Sequence, residues 1–148
     1  MYYTISNNNR TGDRKMTITD SISRWAEESG LEAKVIEGSI LFPVENGDAS
    51  WIARVTALEE DAMIYIVTAY PFDISEEKRV DVMKEINKIN VQLKMGTFYI
   101  DNEDGQVNFR LGQWVTDGES RDKWVSELVF IAMNVTGSYY KMFMDMAE

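Results

Sequence analysis

The chain contains no cysteine and no histidine among its 148 residues. Without cysteine it can form no disulfide, carries no thiolate nucleophile and cannot build a cysteine-ligated zinc site. Without histidine it lacks the usual general base near neutral pH and the commonest ligand of transition metals. These two absences exclude more classes of enzyme and metalloprotein than any motif in the chain suggests.

Basic residues are also scarce: 15 Lys and Arg stand against 25 Asp and Glu, and the formal net charge is −10. Nucleic-acid binding needs clustered basic side chains that contact phosphates, so we expect no nucleic-acid partner. No run approaches the roughly 18 apolar residues of a membrane span, so we expect no membrane partner. The first residues lack the order of a signal peptide, which predicts a cytoplasmic protein.

Hydrophobic residues make up 45% of the chain and include nine Met, seven Tyr, six Phe and four Trp. A chain of this length and composition can bury a full hydrophobic core without disulfides or a structural metal. Residues 1–17 read as a flexible polar leader and residues 18–148 as a single domain. Met16 stands where the patterned sequence begins, which leaves open whether translation naturally starts there.

Turn residues and apolar periodicity predict the element order α-β-β-β-α-β-β-α. The predicted elements are a helix over about residues 20–29 capped by Thr19 or Asp20, strands over 33–44, 50–58 and 62–72, a helix capped by Ser75, strands over 95–101 and 106–115, and a long helix from about Arg121 capped by Ser120. Most connections are hairpins. The sequence therefore predicts an α+β fold with one twisted, mostly antiparallel sheet packed by helices.

The strand over residues 62–72 is apolar on both faces. Met63, Tyr65, Val67 and Ala69 line one face, and Ile64, Ile66, Tyr70 and Phe72 line the other. A strand of this kind is covered on both faces, by helices alone or by helices on one side and a partner on the other. Ile64, Ile66 and Tyr70 are therefore candidate partner-binding residues.

The second helix carries two stripes. Val82, Ile86, Ile89 and Leu93 recur at the spacing of a core face, and Val80, Met83, Asn87 and Val91 form a second stripe. The second stripe indicates either a solvated edge of the core or a subunit contact. Asn87 and Asn90 can satisfy backbone groups at the helix end and the entering strand, or orient a partner backbone.

The closing helix is rich in Met and aromatic residues near its end. Met142, Phe143, Met144 and Met146 point around its whole circumference, so some of them must be exposed or covered by another chain. Flexible methionines also suit variable apolar partners. We take Met142, Phe143 and Met146 as further partner-binding candidates.

The sequence shows no motif typical of a catalytic, metal-binding or phosphate-binding site. Asp101, Glu103 and Asp104 lack the ligand spacing of a calcium loop and fit a hairpin turn, whose Asp104-Gly105 pair is a standard turn signal. No serine lies in a Gly-x-Ser-x-Gly elbow, and the glycines stand singly at turns instead of forming a phosphate loop. We therefore predict no catalytic residue, no metal site and no cofactor.

A family resemblance emerges from the second half of the chain. The segment Ile86-Asn87 to Asn90, the hairpin Tyr99-Ile100-Asp101 to Asp104-Gly105 and the amphipathic helix over 123–143 together resemble the YbjN-type domain of bacterial sensory transduction regulators. Members of that family share the fold of type III secretion chaperones. The resemblance covers about residues 18–146 and implies a small dimeric protein that binds polypeptides or acts in regulation.

The leading hypothesis is a non-enzymatic, chaperone-like or regulatory protein that binds an unidentified protein or peptide through apolar surface, as a homodimer. The alternative is an α+β domain that encloses an apolar small molecule between the sheet and the long helix. A hydrolase or isomerase that uses carboxylates alone is the third hypothesis, and it needs an apposed carboxylate pair that the sequence does not show.

Overall fold

The computed structural model describes residues 7–8, 13–14, 16–115 and 121–148. Most of the predicted leader over residues 1–17, and the segment 116–120 with the predicted cap Ser120, therefore lie outside the described residues. In chain order the elements are β1 (Asn7–Asn8), β2 (Asp13–Arg14), α1 (Ile18–Glu28), β3 (Lys34–Ile36), β4 (Ser39–Asn46), β5 (Ala49–Leu58), β6 (Met63–Asp73), a 3-10 turn (Glu76–Lys78), α2 (Arg79–Gln92), β7 (Thr97–Ile100), β8 (Gln106–Trp114) and α3 (Arg121–Ala147).

Six of the strands form one antiparallel sheet in the order β3-β4-β5-β6-β8-β7, while β1 pairs with β2. This confirms the predicted α+β class. The segment expected to be one strand over 33–44 is instead a hairpin, because Glu37 and Gly38 form a two-residue turn in which Gly38 has φ +67°. The main sheet therefore has four strands before α2.

Helix α1 begins earlier than predicted, and its cap is Thr17 rather than Thr19 or Asp20. The Thr17 hydroxyl accepts from the backbone N–H of Asp20, and the Asp20 carboxylate accepts from the N–H of Thr17, each at 3.0 Å. This reciprocal pair is a capping box. Glu59, in the turn after β5, adds a second cap by accepting from the backbone N–H of Ile18 and Thr19 at 3.1 and 2.8 Å.

Alternate residues of the sheet form the core on the face that α1 and α3 cover. The largest fully buried side chains on that face belong to four strands and one helix: Trp51, Tyr70, Phe98, Phe109 and Phe143. Their rings pack at centroid distances between 5.0 and 6.3 Å, within the range of favourable aromatic contacts. Val82, Ile86 and Ile89 of α2 join the same core, as their helical spacing predicts.

Helix α3 is 27 residues long and runs next to α1 as well as across β6 and β8. At 1.5 Å per residue it spans about 40 Å. A salt bridge between Arg24 and Asp122, at 2.8 Å, joins α1 to the start of α3. Ser75 precedes the 3-10 turn instead of α2, and its side chain makes no capping hydrogen bond.

Candidate partner-binding surfaces

The outward face of α2 carries exposed apolar side chains at positions that the sequence predicted as a second stripe. Val80, Met83, Asn87 and Val91 are all exposed, and Val91 retains 79% of its accessible surface. They lie opposite Val82, Ile86 and Ile89, so α2 is apolar on two sides and only one of them packs on the core. We call Val80, Met83, Asn87 and Val91 the outer stripe of α2.

Charged residues of alternating sign accompany the outer stripe. Asp81, Lys84, Glu85 and Lys88 follow one another along α2, and Lys88 pairs with Glu85 at 3.0 Å within the helix. A shallow cleft of about 590 Å³ separates this helix from Met146 near the end of α3. Met142 and Met146 are half-buried, so α3 presents only part of each side chain here.

Asn90 acts at the free edge of the sheet. Its amide nitrogen donates to the backbone carbonyl of Phe98 at 3.0 Å, and its amide oxygen accepts from the N–H of Phe98 at 2.9 Å. Phe98 lies on the edge strand β7, so the amide replaces the next strand at this residue. An edge with satisfied backbone groups is protected from pairing with other chains. Asn90 thus forms hydrogen bonds with the backbone of the strand that follows α2, which is one of the two roles that the sequence suggested for it.

Four sequence candidates are core residues. Ile64, Ile66 and Phe143 are fully buried, and Tyr70 is 2% exposed. Tyr70 donates from its hydroxyl to the backbone carbonyl of Thr136 at 2.5 Å, and burial raises the pKa of this phenol above its ordinary value. Because helices already cover these side chains, the structure corrects their assignment to an exposed partner-binding surface.

The opposite face of the same sheet has no helix packed on it within the described part of the chain. In the register of the strands, Leu41, Ile52, Val67 and Tyr99 point to this side, and their side chains are half-buried or exposed. Trp114, at the end of β8, is 77% exposed. We call this side of β3 to β8 the open face. Of the two faces of β6, the one lined by Met63, Tyr65, Val67 and Ala69 is available to a partner.

Sequence reasoning missed a third apolar area, on α3. Phe130 and Met133 are exposed, at 68% and 40%, and they border a cleft of about 440 Å³ that Trp51 and Gly137 also line. The two residues are three positions apart and therefore lie on one side of the helix. That spacing was the available signal, since an apolar pair on the side of a helix that faces away from the core indicates an exposed patch.

The acidic hairpin tip is a hydrogen-bonded turn. The Asp101 carboxylate accepts from the N–H of Glu103 at 2.8 Å, and the Asp104 carboxylate accepts from the N–H of Gln106 at 2.9 Å. These bonds account for the carboxylates without a cation. Across the described residues, no group of three or more Asp and Glu side chains is arranged to hold a metal ion.

None of the helices in the described ranges combines the length and apolar character needed to cross a membrane.

The described elements form an α+β fold with one six-stranded antiparallel sheet, helices on one face of it and an apolar outer side on α2. The chain belongs to the YbjN family, whose model, described as "Putative bacterial sensory transduction regulator", matches residues 19–143. Both the family and the fold agree with the resemblance seen in the sequence.

Two solved structures share the fold. The crystal structure of YbjN from E. coli, described as "a putative transcription regulator", superposes with a TM-score of 0.57 at 10% identity and covers 84% of this chain and 97% of its own. The ExsC–ExsE complex contains a chain that superposes with a TM-score of 0.59 at 9% identity, over 84% of this chain and 91% of its own. Among curated proteins, none matches the sequence significantly.

Proposed function

We propose that this chain is a non-enzymatic chaperone-like or regulatory protein that binds polypeptide partners through apolar surface, and that it works as a homodimer. The observation that carries the proposal is the sheet, which packs helices on one face and leaves apolar side chains uncovered on the other. Uncovered apolar area of this kind marks interaction surfaces. The likeness to a chain crystallised in the ExsC–ExsE complex supports a protein as the partner.

For the homodimer we propose the outer stripe of α2. A dimer with two-fold symmetry uses the same surface on both subunits, so an antiparallel pair of α2 helices is the simplest arrangement. If the helices cross near Glu85, Val80 faces Val91 of the second copy, and Met83 faces Asn87 of the second copy. The stripe then buries its most exposed apolar side chain, Val91, twice in one interface.

The charges of α2 are complementary in this arrangement. Asp81 lies level with Lys88 of the second copy, and Lys84 lies level with Glu85 of the second copy, so each subunit contributes both partners of each pair. A parallel two-fold pair would instead place each charged residue level with its own copy, so that no opposite charges meet at the same height. Charge pairs at an interface rim set orientation and specificity more than affinity. This pattern favours a second copy as the occupant of the stripe.

Multi-angle light scattering with a charge exchange tests the homodimer. We expect a dimeric mass for the unchanged protein, a shift toward monomer for Lys88→Asp, and restored dimer for Asp81→Lys combined with Lys88→Asp. Lys94→Asp changes an exposed lysine outside α2 and serves as the matched control. A monomeric mass for the unchanged protein at micromolar concentration contradicts the homodimer.

Partner binding is tested separately, by identifying polypeptides that co-purify with the protein from its native host and rebuilding each complex from purified components. A saturable one-to-one or two-to-one complex per dimer supports the proposal. Purified protein that forms no complex with any co-purifying polypeptide contradicts it.

The alternative of an apolar small-molecule site receives less support from the structure. The apolar cleft between α1, β4 and α3 measures about 410 Å³ and is lined by Trp25, Leu31, Phe42 and Met133, but it is partly open to solvent. Small-molecule sites usually bury most of the ligand surface. An open apolar cleft on the surface is better suited to a side chain of a bound polypeptide.

A further inference from the structure

The open face carries a line of basic side chains that crosses the sheet. The strand register places Lys34, Leu41, Arg54, Val67, Arg110 and Thr97 side by side, one from each of the six strands. Lys34, Arg54 and Arg110 are exposed and stand on every second strand. Neighbouring strands lie about 4.8 Å apart, so successive cations are separated by about 10 Å. We call these three residues the basic row.

The paired strand positions beside the basic row carry no carboxylate, whereas Glu32 lies two residues before Lys34 and Asp101 two residues after Tyr99. The paired residues of the two flanking rows are uncharged: Ile36, Ser39, Thr56, Tyr65 and Gly112 on one side, and Pro43, Ile52, Ala69, Asn108 and Tyr99 on the other. None of the salt bridges found within the described ranges involves a residue of the basic row. A chain with a net charge of −10 thus places three cations in one row of the sheet with no salt bridge to them among the described residues.

Apolar side chains separate and border the cations. Leu41 and Val67 lie between them in the row, and Ile52 and Tyr99 in the next row are exposed by more than a third of their surface. Burial raises the pKa of Tyr99 above its ordinary value, and the nearby charge of Arg110 only partly opposes this rise. The open face therefore combines regularly spaced positive charges with apolar side chains between and beside them.

We propose that the open face of the sheet docks an acidic, partly apolar, extended segment of a partner polypeptide, whose carboxylates pair with Lys34, Arg54 and Arg110. This inference rests on the proposed polypeptide-binding function and adds the surface and the chemical class of the partner segment. Arginine suits this role because its planar guanidinium binds a carboxylate through two parallel hydrogen bonds.

The spacing of the row favours a polypeptide over other anions. In an extended polyproline II-type segment, every third side chain lies on one side, about 9 Å apart, which is close to the separation of the cations. Nucleic acids and anionic lipid surfaces present dense phosphates, which the net charge of −10 repels at long range. In a segment with isolated carboxylates and apolar residues between them, the carboxylates can pair with the basic row while the apolar residues contact the apolar side chains beside it.

Fluorescence anisotropy with a designed probe tests the proposal. The probe is a fluorescein-labelled peptide of about twelve residues with the repeat Glu-Pro-Val, which places carboxylates at the required three-residue period. We expect it to bind at least about tenfold more tightly than its Gln-Pro-Val counterpart, and to lose that preference at roughly 0.5 M NaCl, where charges are strongly screened.

The matched variants change two charges each. Arg54→Glu with Arg110→Glu reverses the basic row and is expected to abolish the preference for the acidic peptide. Lys94→Glu with Lys123→Glu makes the same change in net charge at exposed positions outside the open face and is expected to preserve it. Equal affinity of the acidic and glutamine peptides, or an unchanged preference after reversal of the row, overturns the proposal.

Other occupants would give different readings. If reversal of the row changes the mass of the protein in light scattering, the occupant is a second copy, and the inference is wrong. If the unchanged protein binds phosphatidylserine vesicles but not the peptide, the occupant is a membrane, and the inference is also wrong. If a reconstituted native complex survives reversal of the row, the proposed function stands while this inference fails.

Discussion

Asn90 links the end of α2 to the edge of the sheet through a single side chain. Its amide makes both a donor and an acceptor bond to Phe98, which is a pattern that a neighbouring strand would otherwise supply. Asn87, one turn earlier, is exposed and lies on the outer stripe. Two asparagines that look alike in the sequence therefore have different surroundings, and only Asn90 has a structural partner in β7.

Replacing Asn90 tests the value of this link. We expect Asn90→Ala to lower the free energy of unfolding by about 1 to 3 kcal/mol, because two backbone groups of Phe98 lose their partners. Asn87→Ala is the matched control and should change the stability of the monomer by less than about 0.5 kcal/mol, so both variants are compared at a concentration at which they are monomeric. Urea unfolding measures both values. Equal effects of the two substitutions would show that the amide of Asn90 contributes nothing specific.

Tyr70 gives the fold a pH dependence at the alkaline end. Burial raises the pKa of Tyr70 in the folded protein above its ordinary value of 10.0, so the folded state keeps a proton that the unfolded chain loses. The stabilisation is complete below pH 10 and declines above it, by up to about 1.4 kcal/mol per pH unit. Tyr70→Phe should therefore show a shallower loss of stability between about pH 10 and 11.5.

Denaturant unfolding at several pH values measures this slope in both proteins. At neutral pH the Tyr70→Phe variant is expected to be less stable by about 1 kcal/mol, since the hydrogen bond to the Thr136 carbonyl is lost. Identical slopes above pH 10 would mean that Tyr70 ionises as readily in the folded protein as in the unfolded chain.

At the scale of elements, the β7–β8 hairpin contacts the entry to α2 at Gly105, and the Arg79 guanidinium adds a hydrogen bond to the Asn102 carbonyl at 2.9 Å. Gly105 has φ +77°, and its carbonyl accepts from the N–H of Ile74 at 2.8 Å. A Cβ atom at this position would overlap the carbonyl oxygen of Ile74. Gly47, in the β4–β5 turn, has a similar φ of +64° with open space around it.

The two glycines form a matched pair for mutation. Gly47→Ala introduces only backbone strain and should cost about 1 kcal/mol. Gly105→Ala adds displacement of the Ile74 backbone, and we expect it to cost at least about 2 kcal/mol more. Thermal unfolding monitored by circular dichroism compares them. Equal costs would indicate that the hairpin moves away from Ile74 without penalty.

Elements with strong local signals were predictable from the sequence, and those fixed by distant contacts were not. The predicted strands over 50–58 and 62–72 lie within one residue of β5 and β6, since the alternation of apolar residues along a strand is a local property. The β3–β4 turn was missed because Glu37-Gly38 resembles a bend inside one strand. The cap that Glu59 provides to α1 was unpredictable, because the two segments are about 40 residues apart.

At the scale of the whole molecule, exposed surfaces could be predicted where they depend on local periodicity, and could not where they depend on contacts between distant segments. The outer stripe of α2 follows from helical periodicity alone, and its residues are exposed. The faces of β6 are equally apolar in the sequence, so periodicity could not say which face the helices cover. The cross-strand order that assembles Lys34, Arg54 and Arg110 exists only in the folded sheet, because these residues are separated by up to 76 positions.

The proposed homodimer predicts a concentration-dependent melting temperature. Association that involves only the folded state stabilises it by mass action, so Tm should rise with protein concentration. Val91 is 79% exposed in the single chain, and Val91→Asp should therefore change the stability of the monomer by less than about 0.5 kcal/mol while it weakens the dimer. Its Tm should then be independent of concentration.

Val35→Asp, on the exposed edge strand β3, is the control and should retain the concentration dependence. Because α2 packs on the core through Val82, Ile86 and Ile89, a loss of concentration dependence with an unchanged monomer would locate the contact on the outer stripe. A Tm of the unchanged protein that stays constant over a hundredfold range, roughly from 1 to 100 μM, would argue against any folded-state dimer.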